Sequence, residues 1–202
     1  MSKSQGRPLQ LSDADVVRWS NGLVRTSTCH IWMGAVGSDG YGRIAVTNRR
    51  DGARMLTPHQ IGAGLRLGPI PAGATVLHDC EVRLCCRADA GHVRIGTQAE
   101  NIQDAVRRGR AVGPRPGRVD VRGCAGASRA IQAALARASA AGSSPDELAV
   151  VLAAVIAEGD PLRDVIPLFP APATAAGAGG RVAPAGLSTR GLSVESWPLF
   201  DL

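Results

Sequence analysis

The sequence is poor in aromatic residues and contains no long apolar run. Aromatic side chains make up 3% of the 202 residues, against 25 glycines and 13 prolines, so one well-packed core is not expected throughout the chain. No run of about 18 apolar residues is present to span a membrane, and the first residues lack the apolar region of a secretory signal. We therefore expect a soluble, cytoplasmic protein without a membrane partner.

Lysine is nearly absent too, and arginine carries the positive charge. Lys3 is the single lysine among 23 basic residues, the formal net charge is +6, and the isoelectric point is about 9.7. Guanidinium groups suit bidentate phosphate contacts, so we expect DNA as a partner. A GC-rich coding sequence would also explain the arginine bias, but it leaves the charge in place. The arginines expected to contact DNA are Arg43, Arg83, Arg87, Arg94, Arg107, Arg108 and Arg110.

Residues 76–101 are unusually dense in groups that carry chemistry. They hold two histidines, three cysteines and four acidic residues. Residues 75–78 are predicted to form a short buried strand. Thr97 and Glu100 form a capping box for a helix from residue 98 to about residue 108. The cluster is therefore predicted to lie on a strand, a loop and a helix.

The two histidines of this stretch suggest hydrolytic chemistry. His78 follows a predicted strand, where a neutral imidazole can act as a general base on water. A hairpin-like loop could return His92 beside it to bind a hard cation that stabilises a phosphate. This combination predicts phosphodiester hydrolysis assisted by a hard cation. The alternative is that each histidine is structural.

The cysteines suggest a second metal. Cys80 and Cys85 flank a four-residue loop, and Cys29 comes from an earlier predicted strand, so three thiolates could converge on a structural Zn²⁺. His59 is the expected fourth ligand, with Cys86 as its competitor. The alternative is that these cysteines are small buried hydrophobic residues. A zinc ion would stabilise a small domain that is poor in aromatic residues.

A series of short motifs follows in order between residues 29 and 109. They are C-x-x-W-x-G from Cys29, G-Y-G-R-I from Gly40, P-H at Pro58, G-P-I-P-x-G from Gly68, V-L-H-x-C from Val76, L-C at Leu84, H-V at His92 and G-T-Q-A-E-N from Gly96. In these motifs the chain resembles the HNH endonucleases of the cysteine-bearing homing and phage type. The resemblance implies a ββα-metal fold, with His78 as the general base and His92 as a ligand of a catalytic cation, Mg²⁺ or Mn²⁺. Further catalytic residues that it implies are Glu81 or Asp79, as a second ligand, and Asn101.

Two positions depart from the family. Leu77 stands where an acidic residue usually precedes the base, and Arg87 stands where an asparagine usually orients the loop that carries the base. A second function therefore stays open. The chain could be a catalytically inactive DNA-binding protein, or an adaptor tethered to the sliding clamp, that keeps the fold.

The chain as a whole is predicted to be α+β, with a zinc-stapled HNH-like core, a small C-terminal helical appendage and a flexible tail. Apolar residues on both sides of S-D-G-Y-G predict a hairpin of two short strands, and Thr57 and Pro58 open a helix. Two Ala-rich helices are expected at residues 128–141 and 145–158. The predicted divisions are an N-terminal segment with a short helix (1–24), the nuclease domain (25–110), a basic linker (111–126), a helical hairpin (127–169) and a low-complexity tail (170–202).

Two short segments near the C-terminus share an apolar-Pro-Leu-Phe core. Both resemble the peptide by which bacterial DNA-processing proteins dock on the DNA polymerase sliding clamp, and an extended peptide of this kind can place Leu and Phe in a pocket. The alternative is that these residues fold back on the helical hairpin. The docking residues would be Leu168, Phe169, Trp197, Leu199 and Phe200.

Overall fold

The computed structural model describes residues 9, 11–48, 52–108 and 120–161. These residues form five helices and six strands, which confirms the predicted α+β class. No helix in this part of the chain is long and apolar enough to cross a membrane. In chain order the elements are α1 (Asp13–Asn21), β1 (Leu23–Arg25), β2 (His30–Trp32), β3 (Ile44–Asn48), β4 (Gly52–Leu56), α2 (Pro58–Leu67), β5 (Thr75–His78), β6 (Val93–Gly96), α3 (Gln98–Arg107), α4 (Gly123–Ala140) and α5 (Pro145–Glu158).

The strands of the described residues form three separate antiparallel pairs, β1 with β2, β3 with β4 and β5 with β6. The predicted hairpin around S-D-G-Y-G forms only in part. Its two strands exist as β2 and β3, but each pairs with another strand, and one isolated bridge between Val36 and Gly42 spans the loop. The order of β5, β6 and α3 is strand, strand, helix, and His78 pairs with Val93.

The helices begin where their capping signals lie. Ser12, Thr97 and Ser144 each accept a hydrogen bond from a backbone N–H of the first turn, and a capping box completes each of these N-termini. The sequence predictions for α1, α2, α3 and α5 are confirmed in position. Helix α4 begins at Gly123, earlier than predicted, so it starts inside the segment that the sequence assigned to the basic linker.

The helical hairpin shares the main core with the strands. Ile31 and Trp32 of β2 belong to the same buried cluster as Leu135 of α4 and Leu152 of α5. Gln132 strengthens the contact, because its Nε2 donates to the carbonyl oxygens of Trp32 and Gly34 at 3.0 and 2.8 Å. Residues 123–158 therefore pack directly on the cysteine-bearing part of the chain.

Close packing explains why glycine stands at three positions, two of which belong to the sequence motifs. A Cβ at Gly34 or Gly42 would collide with the indole ring of Trp32, which is 5% exposed. A Cβ at Gly62 of α2 would collide with the carbonyl oxygen of Cys86. These close approaches bring β2 and α2 against each other and against the backbone of Cys86. They thereby position His59 of α2 and Cys29, which precedes β2, near the site described below.

Candidate metal cluster and histidine cavity

Three cysteines and one histidine meet at one point of the structure. Within the described residues, Cys29, Cys80, Cys85 and His92 form a group whose ligand atoms all lie within 4.8 Å of one another. Cys29 precedes β2, Cys80 and Cys85 bound the loop after β5, and His92 precedes β6. The group could hold a metal ion, and its sulfur-rich donor set suits a soft or borderline cation.

The spacing of the four donors fits a tetrahedral ion. The Nδ1 atom of His92 lies 3.6 Å from the Sγ of Cys29 and 3.7 Å from the Sγ of Cys85. A tetrahedral ion with Zn–S of about 2.3 Å and Zn–N of about 2.0 Å requires S···N separations of about 3.5 Å. The side chains are therefore arranged for metal binding without a large movement.

The cysteine thiols of this cluster perturb one another. Hydrogen bonding with Cys29 lowers the pKa of the Cys80 thiol, and the same contact raises the pKa of Cys29 to about 12. The contact with Cys29 also raises the pKa of Cys85. Cys80 is therefore the thiol of the three that is favoured as a thiolate. A divalent cation would bind the deprotonated sulfurs and release protons.

A second layer of polar contacts holds the ligands. Arg87 donates from Nη1 to the carbonyl oxygens of Ser27 and Thr28, at 3.0 and 2.8 Å, beside Cys29. Its Nε donates to Asp89 at 2.6 Å, and the Asp89 carboxylate lies 4.0 Å from Nε2 of His92. Arg87 thus connects the turn that carries Cys29 with the loop that carries His92. Outer contacts of this kind orient metal ligands.

The fourth member of the cluster differs from the sequence prediction. His92 joins the three cysteines, whereas His59, the predicted fourth ligand, lies beside His78. The competitor Cys86 is also outside the cluster: it is 3% exposed, and its thiol donates to the Leu84 carbonyl oxygen at 3.5 Å. The reason is the β5–β6 pairing, which starts directly after His92 and brings its ring against the loop between Cys80 and Cys85.

A cavity of about 490 Å³ lies next to this loop, and Glu81 and Arg83 of the loop contribute to its lining. Its lining includes Tyr41, Arg43, His59, His78, Arg83 and Asn101. The rings of His59 and His78 meet edge to face with centroids 4.6 Å apart, and the Tyr41 ring lies 5.4 and 5.9 Å from them. The cavity therefore places two imidazoles and one phenol side by side.

The two imidazoles favour their neutral forms. Burial, together with the neighbouring His78, lowers the pKa of His59 to about 3. Burial also lowers the pKa of His78. The Nε2 atom of His78 lies 2.9 Å from the backbone carbonyl oxygen of Cys85. Because a carbonyl can only accept a hydrogen bond, Nε2 carries the proton and Nδ1 carries the lone pair of the neutral ring.

The acidic residues expected beside His78 all have arginine partners. The Asp79 carboxylate lies 3.1 Å from Nε of Arg94, and it is not part of the cavity lining. The Glu81 carboxylate lines the cavity and lies 3.2 Å from Nε of Arg108. Glu81 has φ of 63°, the left-handed region that costs a non-glycine residue about 1 kcal/mol or more. Arg108 also donates to the His78 carbonyl oxygen at 3.1 Å, so it holds the end of β5.

Most of the arginines that were expected to contact DNA make internal ion pairs. Arg43 pairs with Asp39, Arg87 with Asp89, and Arg107 with Asp104. Arg94 bridges Asp79, Glu100 and Asp104, and Arg108 contacts Asp79 and Glu81. Arg83 is different, because its guanidinium lies over the Tyr41 ring at 5.9 Å from the centroid. Which arginines form ion pairs is not predictable from the sequence, because pairing depends on the tertiary fold.

Several predicted residues fall outside the described ranges. Arg110 and the predicted docking residues Leu168, Phe169, Trp197, Leu199 and Phe200 are among them, so clamp docking stays a prediction. Two residues that the sequence analysis did not assign contribute to the site, Tyr41 in the cavity and Asp89 beside His92. The G-Y-G-R-I motif was the signal for Tyr41.

The fold and site together define a small α+β protein with a Cys₃His cluster that could hold a metal ion. The chain is similar to two proteins of Escherichia phage T7. It is 35% identical to protein 2.8 over 88 residues, which are 44% of this chain and 56% of the relative, and 35% identical to protein 7.7 over 82 residues, which are 41% and 58%. The chain thus spans somewhat more than half the length of each relative. No protein-family profile and no solved structure matches it.

Proposed function

We propose that the chain is a DNA endonuclease in which His78 is the general base. The observation that carries the proposal is the hydrogen bond from His78 Nε2 to the Cys85 carbonyl oxygen, 2.9 Å long. It fixes the tautomer and the ring orientation of a half-buried histidine at the edge of a polar cavity. An oriented neutral imidazole is the group best suited to remove a proton from water near neutral pH.

The proposed reaction is hydrolysis of one phosphodiester bond. A water oxygen forms a bond to phosphorus while its proton passes to Nδ1 of His78. The bond from phosphorus to the departing nucleoside oxygen breaks with its electron pair, and that oxygen takes a proton from solvent. His78 then returns its proton to solvent. No oxidant or further reactant is needed.

The departure at Arg87 is compatible with this role. In the HNH endonucleases that the chain resembles, an asparagine at that position orients the loop carrying the base. Here the Cys85 carbonyl oxygen is a fixed partner for the His78 ring, while Arg87 ties together the turn and loop that carry Cys29 and His92. Orientation of the base is thus supported by a backbone group, which no side-chain substitution can remove.

For the Cys₃His cluster we propose Zn²⁺ in a structural role. Three thiolates and one imidazole make a closed tetrahedral set without an open position, which is typical of structural zinc sites. The ion would fix the loop between Cys80 and Cys85, and that loop supplies the carbonyl that orients His78. His92 is thereby assigned to this cluster, in place of the catalytic cation that the resemblance implied.

We also retain a catalytic Mg²⁺ or Mn²⁺ in the proposal. The cavity lining contains the oxygen donors Glu81 and Asn101, and Mg²⁺ is commonly held by one or two carboxylates together with substrate phosphates. Such a cation would stabilise negative charge on the phosphate and the departing oxygen. The protein's own contribution would be to present the Glu81 carboxylate, which lies 3.2 Å from Nε of Arg108.

One observation favours a catalytically inactive DNA-binding protein instead. Within the described residues, each carboxylate that lines the cavity already has an arginine partner: Asp39 with Arg43, Glu81 with Arg108 and Asp104 with Arg94. A hard cation would have to compete with these ion pairs. This DNA-binding protein, called the adaptor below, is therefore the second candidate function.

Binding and cleavage of one labelled DNA duplex separate the two candidates. We expect wild type and His78→Gln to bind the duplex with equal affinity, and wild type alone to cleave it. The glutamine keeps an N–H donor for the Cys85 carbonyl oxygen and lacks the basic nitrogen. Binding by both proteins without cleavage by either would favour the adaptor, and no binding by wild type would contradict both functions.

A further inference from the structure

The arginines and carboxylates that line the cavity do not all pair with one another. Three arginines line it, and two of them have carboxylate partners: Arg43 lies 2.6 Å from Asp39, and Arg108 lies 3.2 Å from Glu81. The third lining carboxylate, Asp104, pairs at 2.6 Å with Arg94, which is not part of the lining. In the part of the chain that the structure describes, Arg83 has no carboxylate within ion-pair distance, although its charge interacts with the more distant Asp120 and helps to lower the pKa of that carboxyl.

Arg83 is held in the cavity by an aromatic ring instead of an acid. Its Cζ lies 5.9 Å from the centre of the Tyr41 ring. A cation–π contact of this kind is weakly stabilising, and it leaves the guanidinium with its charge and its N–H donors. A half-buried guanidinium that makes no direct ion pair favours an anionic ligand.

The backbone around Arg83 is fixed on both sides. Val82 and Leu84 are 9% and 1% exposed, and the Cys85 N–H donates to the Val82 carbonyl oxygen at 2.9 Å. The Leu84 carbonyl oxygen accepts from the Trp32 N–H at 2.9 Å. Arg83 therefore projects from a rigid turn between two cluster cysteines, which is the kind of support that a binding residue needs.

We propose that Arg83, on the Tyr41 ring, binds a phosphate group in the cavity, and that in the substrate this is the phosphodiester beside His78. His78 and Tyr41 both line the same cavity with their ring centroids 5.9 Å apart. A phosphate held by the guanidinium there would present its phosphorus to a water next to the imidazole. The identification of the phosphate as DNA rests on the proposed function, whereas the anion site does not.

Two small probes test the site without the charge of a DNA strand. Inorganic phosphate, titrated by calorimetry, reports on binding, and bis(p-nitrophenyl) phosphate reports on hydrolysis of a diester. The variants are Arg83→Gln and Arg83→Lys. The matched control is Arg129→Gln, which removes one exposed arginine of α4. Thermal unfolding of each variant checks that the fold is retained.

We expect Arg83→Gln to bind inorganic phosphate at least about tenfold more weakly and to lower kcat for the diester by about 10²-fold, as for loss of one charge-stabilising donor. Arg83→Lys should recover part of the binding, and Arg129→Gln should match wild type. If Arg83→Gln binds phosphate as tightly as wild type does, the proposed anion site is wrong. It is also wrong if wild type does not bind phosphate at millimolar concentration. If phosphate binding depends on Arg83 but wild type does not hydrolyse the diester, the anion site is supported and the nuclease proposal is contradicted.

Discussion

The Nε2 atom of His78 and the backbone carbonyl oxygen of Cys85 are 2.9 Å apart, and this hydrogen bond joins the histidine cavity to the cysteine cluster. The Sγ of Cys85 lies in the cluster with Cys29, Cys80 and His92. Cys85 therefore belongs to the cluster through its side chain and contacts His78 through its backbone. A metal that fixes the cysteine loop would also fix the ring of His78. The two sites are therefore parts of one arrangement.

The first prediction concerns the metal. The purified protein should contain one Zn²⁺ per chain, because four donors fit one tetrahedral ion. Cys29→Ser should lose tight binding, since a serine hydroxyl does not replace a thiolate ligand. Cys124→Ser is the matched control, because Cys124 is a free cysteine outside the cluster. Metal analysis after dialysis against a chelator is the measurement. Equal zinc in all three proteins, or zinc in none, would contradict the cluster.

The second prediction concerns Arg87. Replacement by alanine removes the hydrogen bonds to Ser27, Thr28 and Asp89, so Zn²⁺ affinity should fall about 10–100-fold, as for other lost contacts around metal ligands. A competition titration with a coloured chelator measures the change. Arg54→Ala, on exposed strand β4, should leave the affinity unchanged. If Arg87→Ala binds zinc as tightly as wild type, the polar layer around the ligands has no such role.

Local signals in the sequence predicted much of the fold. The capping box of Thr97 and Glu100 predicted the start of α3, and the strand from Thr75 to His78 was predicted with its bounds. The strand pairing was not predictable, because β2 and β3 could pair with each other or with other strands and only packing decides. The exchange of His59 and His92 has the same cause: both imidazoles suit a metal, and tertiary structure chooses between them.

The third prediction concerns the helical hairpin. Leu135 of α4 is fully buried in the core that also contains Trp32, so Leu135→Ala should lower the free energy of unfolding by about 2–5 kcal/mol. Urea unfolding followed by tryptophan fluorescence measures it. Val150→Ala is the control, because Val150 of α5 is 69% exposed. If the hairpin were an independent appendage, the fluorescence transition would not shift in Leu135→Ala.

The fourth prediction is a dependence of stability on pH that involves His59. Its pKa is about 3 in the folded chain against an ordinary value of 6.5, so between these values the unfolded chain binds a proton that the folded chain does not. Stability should fall as pH drops below 6.5, by at most about 1.4 kcal/mol per pH unit from this group. Burial and the facing groups His78 and Arg43 lower the pKa, while Asp39 opposes them.

Urea unfolding at several pH values, comparing wild type with His59→Gln, isolates that contribution. Acid release of a metal from the cysteine cluster affects both proteins, so the difference between their slopes reports on His59. The variant should show the smaller loss of stability between pH 6.5 and pH 4. Parallel curves would mean that His59 is not held neutral by burial.

The central claim, that His78 is the base of a DNA endonuclease, is tested most directly by nicking of supercoiled plasmid with Mg²⁺, Mn²⁺ or EDTA. Wild type, His78→Ala and His78→Gln are prepared identically, and their zinc content is compared. The account predicts nicking by wild type with Mg²⁺ or Mn²⁺, none in EDTA, and a loss of at least about 10²-fold in both variants. Equal nicking by all three proteins, or none by wild type with either ion, would contradict it.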